Sequence, residues 1–351
     1  MSRQTAGSRP RREVEKSINQ YGIFPVTVTR VEDLGASFRR VSLSGRSLLH
    51  AAQPISDGFG PLQDAYIKLL VPPPGASEPT LIELDENWRS RWLAQPVEIR
   101  GHMRTYTVSR SRLIPASSLD ETHLHGLFPA TAADLTPLER PLPSWQQPEI
   151  DLDFVLHQDA DGVMGPGSAW AAGVQVGERV SILAPLRGSS LWASWNPGSA
   201  ERLLLLADET ALPALLSILR DLPPQAEARL LVELPHATDC QAVQQQARHF
   251  LEALPAVELI CLPREGQVRG QALLTELHRI LDLGQHSYRY EQAGEEELVW
   301  QLASDPQDSY VFIAGESSLV KTLRRVCVNE ARIPKDNISF MGYWKQGRME
   351  S

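Results

Sequence analysis

From about Tyr21 to His157 the chain reads as short stretches in which apolar and polar positions alternate. FPVTVTRVEDL, SFRRVSLSG, DAYIKLLVPPP, PVEIRGHMRTYTVSR and IDLDFVLHQ carry alternation, β-branched residues or both, with Gly, Pro and Asp between them. A period of two places successive side chains on opposite faces of a strand, so each stretch is a predicted strand. Several short strands without long helices predict a barrel or a sandwich. The segment 111–148, rich in Pro, Ser, Thr and Leu and without a period, is predicted to be an insertion of the lid or mobile-loop kind.

After about Asn196 the pattern changes. RLLLLADETALPALLSILRDLPP gives a continuous apolar strand, a turn and a helix. RLLVEL, VELICLP, YVFIAGE and ISFMGYW are further strands, and DCQAVQQQARHFLEAL and SSLVKTLRRVCVNEARI are helical. Apolar strands alternating with helices predict a parallel sheet covered on both faces. The predicted division is a disordered basic N-terminus over 1–18, a β domain over 19–196 that contains the insertion, and an α/β domain over 197–351.

Composition narrows the partners. A chain of 351 residues favours two domains. A net charge of −9 argues against nucleic acid as the partner, though not against one small anionic cofactor. Cys240, Cys261 and Cys327 form no CxxC, so neither a zinc knuckle nor an all-cysteine iron–sulfur site is supported. Reduced thiols in a cytoplasmic protein fit best. The polar N-terminus lacks the apolar core of a signal peptide, and no apolar run approaches the roughly 20 residues of a membrane helix. His123 and His125 lack the companion ligands of a metal site. No G-x-S-x-G nucleophile elbow occurs.

Four stretches carry candidate chemistry. In GHMRTYTVSR a strand would place Arg104, Tyr106, Val108 and Arg110 on one face. Guanidiniums and a phenol there suit an anionic, aromatic ligand, since Arg grips phosphate in a forked pair and Tyr stacks on rings. Arg104 and Arg110, six residues apart, would be roughly 20 Å apart on a straight strand and so would not share a phosphate. In GPGSAWAAG, glycines allow close backbone approach, Ser168 is a candidate cap for a short helix and Gly173 its stop. A helix N-terminus binds anions, although Trp170 stands where a dinucleotide fingerprint needs glycine. ADETALPA lies at a strand–helix junction, where open α/β sheets bind ligands, with Thr210 as candidate cap. Asp208 and Glu209 would repel a pyrophosphate, which leaves this junction to a nicotinamide ring or to capping. Finally, Tyr343 and Trp344 close the last strand beside Lys345, placed either to pack or to cover a planar cofactor.

Taken together, RTYTVSR, DFVLH with GPGSAWA, LADETALPA, YVFIAGE with a helix ending in LRR, and GYWKQG resemble the siderophore-interacting protein family. These are FAD-dependent ferric-siderophore reductases related to ferredoxin–NADP reductases. The resemblance spans 21–347. It implies an N-terminal antiparallel flavin-binding β-barrel followed by a C-terminal NAD(P)-binding α/β domain with a parallel sheet. By position, Arg104, Tyr106, Thr107 and Arg110 would hold FAD, with His157 and the loop of Gly165, Pro166, Gly167, Ser168 and Trp170 holding the rest of it. Asp208, Glu209, Thr210, Gly315 and Glu316 would face the nicotinamide cofactor, NADPH or NADH, and Tyr343 and Trp344 are candidate cofactor-binding residues. Lys68 would face the anionic ferric siderophore. Glu233 and His236 are candidates for the choice between NADPH and NADH. The flavin carries the chemistry, so no protein group is needed as a catalytic acid or base. Two other functions stay open: a flavin oxidoreductase with another acceptor, and a non-enzymatic siderophore-binding protein.

Overall fold

The computed structural model describes residues 21–52, 62–76, 80, 82–116, 143–157, 162–284 and 300–346. The N-terminal tail, His123, His125 and most of the predicted insertion lie outside them.

Six strands close an antiparallel barrel: β1 (Tyr21–Asp33), β2 (Phe38–Ser44), β3 (Tyr66–Val71), β4 (His102–Pro115), β5 (Gln146–Val155) and β6 (Arg179–Pro185), in the order β1-β2-β5-β4-β3-β6. Alternation does the work here. Phe24, Val26 and Val28 of β1, Val41 and Leu43 of β2, and Ile150, Leu152 and Phe154 of β5 all point into one buried core. The opposite face of β1, β3 and β6 is also covered: Ile23, Leu70 and Leu183 pack with Trp88 and Trp92 of a short helix, α1 (Trp88–Ala94).

Two boundaries differ from the sequence reading. PVEIRGHMRTYTVSR is not one strand, because Val97–Arg100 forms a helical turn, α2. Gly101 then turns the chain with φ at +69°, and a Cβ there would lie 2.2 Å from the Val71 carbonyl oxygen. The insertion is also shorter than 111–148. β4 continues to Pro115 and β5 begins at Gln146, with Ser111 paired to Ile150 and Pro115 to Gln146. The pairing ladder absorbs both flanks.

A single-helix excursion, α3 (Pro166–Gly173), separates β5 from β6. Downstream lie β7 (Arg202–Asp208), α4 (Leu212–Asp221), β8 (Glu227–Leu234), α5 (Ala237–Leu251), β9 (Val257–Pro263), α6 (Gln271–Ile280), β10 (Trp300–Gln301), β11 (Ser309–Glu316), α7 (Ser317–Arg325) and β12 (Ile338–Trp344). Their sheet runs β10-β12-β11-β7-β8-β9, parallel except for β10. Its strands are apolar on both faces, as expected for a sheet with helices on each side. Leu205 and Ala207, Leu230 and Val232, and Phe312 and Ala314 face α4 and α5. Leu206, Leu231 and Ile313 face α6 and α7. Each fully buried Leu, Ile or Phe among them contributes about 1.5–3 kcal/mol.

Barrel and sheet are joined by more than a linker. Phe38 and Val155 of the barrel are buried within the core around α4 and α5. The Ser37 hydroxyl donates to Asp239 at 2.8 Å, Arg220 donates to the Ser109 carbonyl at 3.0 Å, and the Leu62 amide donates to Asp221 at 2.7 Å.

Candidate functional site

The cleft between the barrel and the carboxyl edge of the sheet collects most of the candidate residues. β4 contributes Arg104, Thr105, Tyr106 and Thr107; β5 contributes Asp153 and Val155, with His157 just beyond. The start of α3 adds Gly165 to Ser168. Thr210 and Pro213 come from the β7–α4 junction, and Tyr343 and Trp344 from the end of β12. The central sheet explains that meeting. β7 lies between β11 and β8, so the strand order reverses at the β7–β11 boundary, where ligands of open α/β sheets bind.

On β4 the predicted alternation holds through Val108. Arg104 pairs with Leu69, Tyr106 with Ile67, and Val108 is fully buried in the barrel core. A register shift between Val108 and Arg110 then breaks it. Arg110 emerges exposed and outside the cleft, facing Arg40, Arg112, Asp151 and Asp153; the shared face expected for it ends at the bulge. Below it lies a buried ion network, in which Asp153 accepts from Arg40 Nε at 2.7 Å and from the Ser109 hydroxyl at 2.7 Å.

Tyr106 packs on Phe154 at 4.3 Å between ring centroids, and Phe154 in turn meets Trp170 at 5.5 Å. Trp170 therefore supports the barrel beneath the cleft rather than lining it. Gly167 is fixed by this packing: a Cβ there would lie 2.0 Å from the Tyr106 hydroxyl oxygen. Gly165, not Ser168, caps α3, with Pro166 in the first turn; the Ser168 hydroxyl instead donates to the Val155 carbonyl at 2.8 Å. The first-turn amides of α3 have no partner within the helix, and Gly165 to Ser168 line the cleft.

The acidic residues at the sheet edge have internal partners. Asp208, not Thr210, is the cap: its carboxylate accepts from the Thr210 amide at 2.9 Å and the Glu316 amide at 2.8 Å. Burial, then the charge of Glu209, raises it to about 6. Gly315 has φ at +144°, and a Cβ there would lie 2.6 Å from the Asp208 carboxyl carbon. Glu316 caps α7, accepting from the amides of Ser318 and Leu319 at 2.7 and 3.0 Å. Glu209 is buried against Arg264 and Arg269, and Glu233 accepts from the Gly270 amide that starts α6 at 2.8 Å. These carboxylates build the edge that frames the cleft; of this group only Thr210 lines it.

Sequence reading missed several residues. Asp153 and Thr105 line the cleft; the alternation of IDLDFVLH already set Asp151 and Asp153 on one face. Arg269 sits over the Trp344 ring at 4.8 Å and pairs with Glu209 at 2.6 Å, linking two motifs 135 residues apart in a way no local pattern reveals. Lys68 lies behind the cleft wall, its ammonium donating to the Thr105 hydroxyl. Burial first, then the guanidiniums of Arg104 and Arg100, hold the His102 imidazole below its ordinary value, so this strip of β3 and β4 carries a positive field.

Two family descriptions match almost end to end. "Siderophore-interacting FAD-binding domain" covers 27–131 and 142–190, and "Siderophore-interacting protein" covers 200–347. The chain belongs to the siderophore-interacting protein family. The ferric vibriobactin reductase of Vibrio cholerae is 27% identical over 207 residues, 58% of this chain and 62% of that one; the match thus spans less than two thirds of that relative. Among solved structures, a siderophore utilization protein from T. fusca aligns with TM-score 0.56 at 23% identity, covering 93% of this chain and 94% of that one. The siderophore-interacting protein SipS of Aeromonas hydrophila aligns with TM-score 0.52 at 21% identity, covering 94% and 100%. At these identities the structures speak for the fold, an antiparallel barrel followed by an α/β sheet.

The barrel of this siderophore-interacting protein is an FAD-binding domain, and its cleft fits such a group. Trp344 Nε1, on the cleft wall, is buried without a hydrogen-bond partner among the described residues. Buried polar atoms are normally paired, so this one marks a place for a polar ligand. Burial holds His157 below its ordinary value, which keeps the ring neutral near pH 7. Among the described residues no helix is long and apolar enough to cross a membrane, and no group of three or more His, Cys, Asp or Glu could hold a metal.

Proposed function

We propose that this protein is a cytoplasmic ferric-siderophore reductase that passes electrons from NADPH or NADH through FAD to chelated Fe(III). The observation that carries the reading is the meeting of Arg104, Tyr106 and Thr107 from the barrel with Tyr343 and Trp344 from the sheet across one cleft. Arg104 would hold phosphate, Tyr106 and Thr107 the ring, and the α3 amides, with His157, the remaining polar part. Tyr343 and Trp344 would cover the ring and exclude water. When bound, FAD supplies the group that takes a hydride and gives up electrons singly. The chain's task is position and charge. Lys68 and the positive strip of β3 and β4 would draw in an anionic ferric chelate despite the acidic net charge. Thr210 and Pro213 leave the β7–α4 junction to the nicotinamide donor, with Asp208, Glu209, Gly315 and Glu316 shaping that edge from behind.

The test is an absorbance spectrum of the purified protein, followed by NADH and NADPH titration and a ferrous-iron trap. A yellow protein bleached by one donor, forming ferrous iron faster from ferric chelates than it reduces generic dyes, supports the reading. A colourless protein that takes up no FAD overturns it. Equal rates with dyes would make it a general flavin oxidoreductase, and chelate binding without turnover a carrier.

A further inference from the structure

Gln63 and Asp64 are consecutive non-glycine residues with positive φ, 38° and 73°. Such backbone is costly and persists only where the surroundings hold it. Here α4 holds it. Asp221 accepts from the amides of Leu62 and Gln63 at 2.7 and 3.1 Å, and Ser217 from the amide of Asp64 at 3.1 Å. The turn delivers the Asp64 carboxyl, with no exposure to solvent, into the seam between barrel and sheet. There one oxygen accepts from the Ser194 amide at 2.8 Å and the other from the Tyr343 hydroxyl at 2.7 Å.

The groups around Asp64 offer little to hold its charge. Tyr66 of β3, Tyr310 of β11 and Tyr343 of β12 face it, and the amides of Ser194 and Trp195 reach it. On α4, Asp221 binds the neighbouring amides and is itself paired with Arg220 at 3.0 Å. Burial therefore pushes the Asp64 carboxyl up to about 7.

Tyr343 has a second neighbour, across the cleft wall. The Thr107 hydroxyl lies beside the Tyr343 hydroxyl and can donate to its oxygen, which lowers the phenol's affinity for its proton. Direction decides what this contact does. A carboxylate only accepts, so an ionised Asp64 takes the single phenol proton. A protonated Asp64 donates to the phenol oxygen instead, and the phenol proton is released to turn toward Thr107 or a ligand in the cleft. One proton gained at Asp64 reverses its bond to Tyr343 and, with it, the direction open to the Tyr343–Thr107 contact.

We propose that Asp64 is a positioning residue for the cleft, forming with Tyr343 an acid–phenol pair whose protonation decides whether the Tyr343 hydroxyl directs its proton away from the bound FAD or toward it. This rests on the flavin reading of the cleft given above.

The test uses the full chain, with Asp64→Asn and Tyr343→Phe. Asn tolerates the left-handed backbone at 64, and Phe keeps the ring while removing only the hydroxyl. One arm needs no flavin. Infrared difference spectra of the FAD-free protein are recorded from about pH 5.5 to about pH 8.5, bracketing the ordinary range of neutral-pH switches. A protonated-carboxyl band should fade with a midpoint near 7 in the wild type and be missing from Asp64→Asn. In the other arm the FAD-loaded protein's visible flavin band should shift with the same midpoint, and the shift should be lost in both variants, read on the fraction of each that holds FAD. A titrating carboxyl with a flat wild-type flavin spectrum, or a Tyr343→Phe protein that keeps the wild-type shift, overturns the pair and leaves the flavin reading standing. A protein with the carboxyl band but no FAD uptake overturns the flavin reading and, with it, the pair's action on the cleft. If Asp64→Asn does not fold, Tyr343→Phe decides alone.

Discussion

Replacing Gly167 with Ala should damage the site through Tyr106 alone. The new Cβ would lie 2.0 Å from the Tyr106 hydroxyl oxygen and 3.2 Å from the ring carbon that bears it. The first distance is impossible, and the second asks only a few tenths of an ångström of movement. Tyr106 is pinned on its other side by Phe154 at 4.3 Å, itself fully buried, so the ring has nowhere to retreat. Overpacking of this kind costs about 1–3 kcal/mol. Tyr106→Phe removes the offending oxygen and should cost under about 1 kcal/mol, the change being close to isosteric. In the double variant most of the Gly167→Ala cost should vanish, a coupling of about 1 kcal/mol or more. Denaturant unfolding of the four FAD-free proteins gives the cycle, and FAD titration by fluorescence shows whether affinity follows. Additive effects, or a Gly167→Ala protein as stable as wild type, would show that α3 shifts freely and that Gly167 is not set by the tyrosine.

Arg104→Ala should release FAD, whereas Lys68→Ala should keep it and raise the KM for anionic ferric chelates; equal flavin loss in both would refute that division. Asp153→Ala strands Arg40, which is 4% exposed, with only Asp151 at 3.8 Å as a carboxylate partner, and should cost about 3–5 kcal/mol in urea unfolding. Asp64 binds its proton more tightly folded than unfolded, so its ionisation costs stability as pH rises toward its folded value of about 7. Relative to wild type, Asp64→Asn should therefore gain up to about 1.4 kcal/mol of unfolding free energy per pH unit between about pH 4 and 7, and a pH-independent difference would contradict this.

The legible part of the fold was what period-two and continuous apolar patterns encode. All five strands read from the first half, and the strands and helices read around the parallel sheet, exist. Their ends were less legible, because tertiary pairing extends β4 to Pro115 and a single glycine, Gly101, cuts a convincing alternation in two. The site was legible where one stretch supplies several cleft residues, as RTYT and GPGS do. Roles that depend on distant partners were not. Asp208 looked like a ligand residue, but the amides it serves belong partly to β11, 108 positions away. Arg110 looked like a continuation of its strand, and only a bulge, which leaves no local signature here, turns it out. Asp64, in DAYIKLLVP, looked like punctuation before a strand.

The bonds that tie Ser37 to Asp239, Ser109 to Arg220 and the 62–64 turn to α4 have a consequence for how the molecule comes apart. The strand-free stretch between β6 and β7 is a covalent link, but the hold between the halves is the shared apolar core at Phe38 and Val155. A protease that nicks the chain there should leave two fragments that travel together through a sizing column until denaturant parts them. Separated, each fragment would bare a surface shaped for the other, so the two halves behave less like modules on a string than like the two faces of one hinge rusted shut.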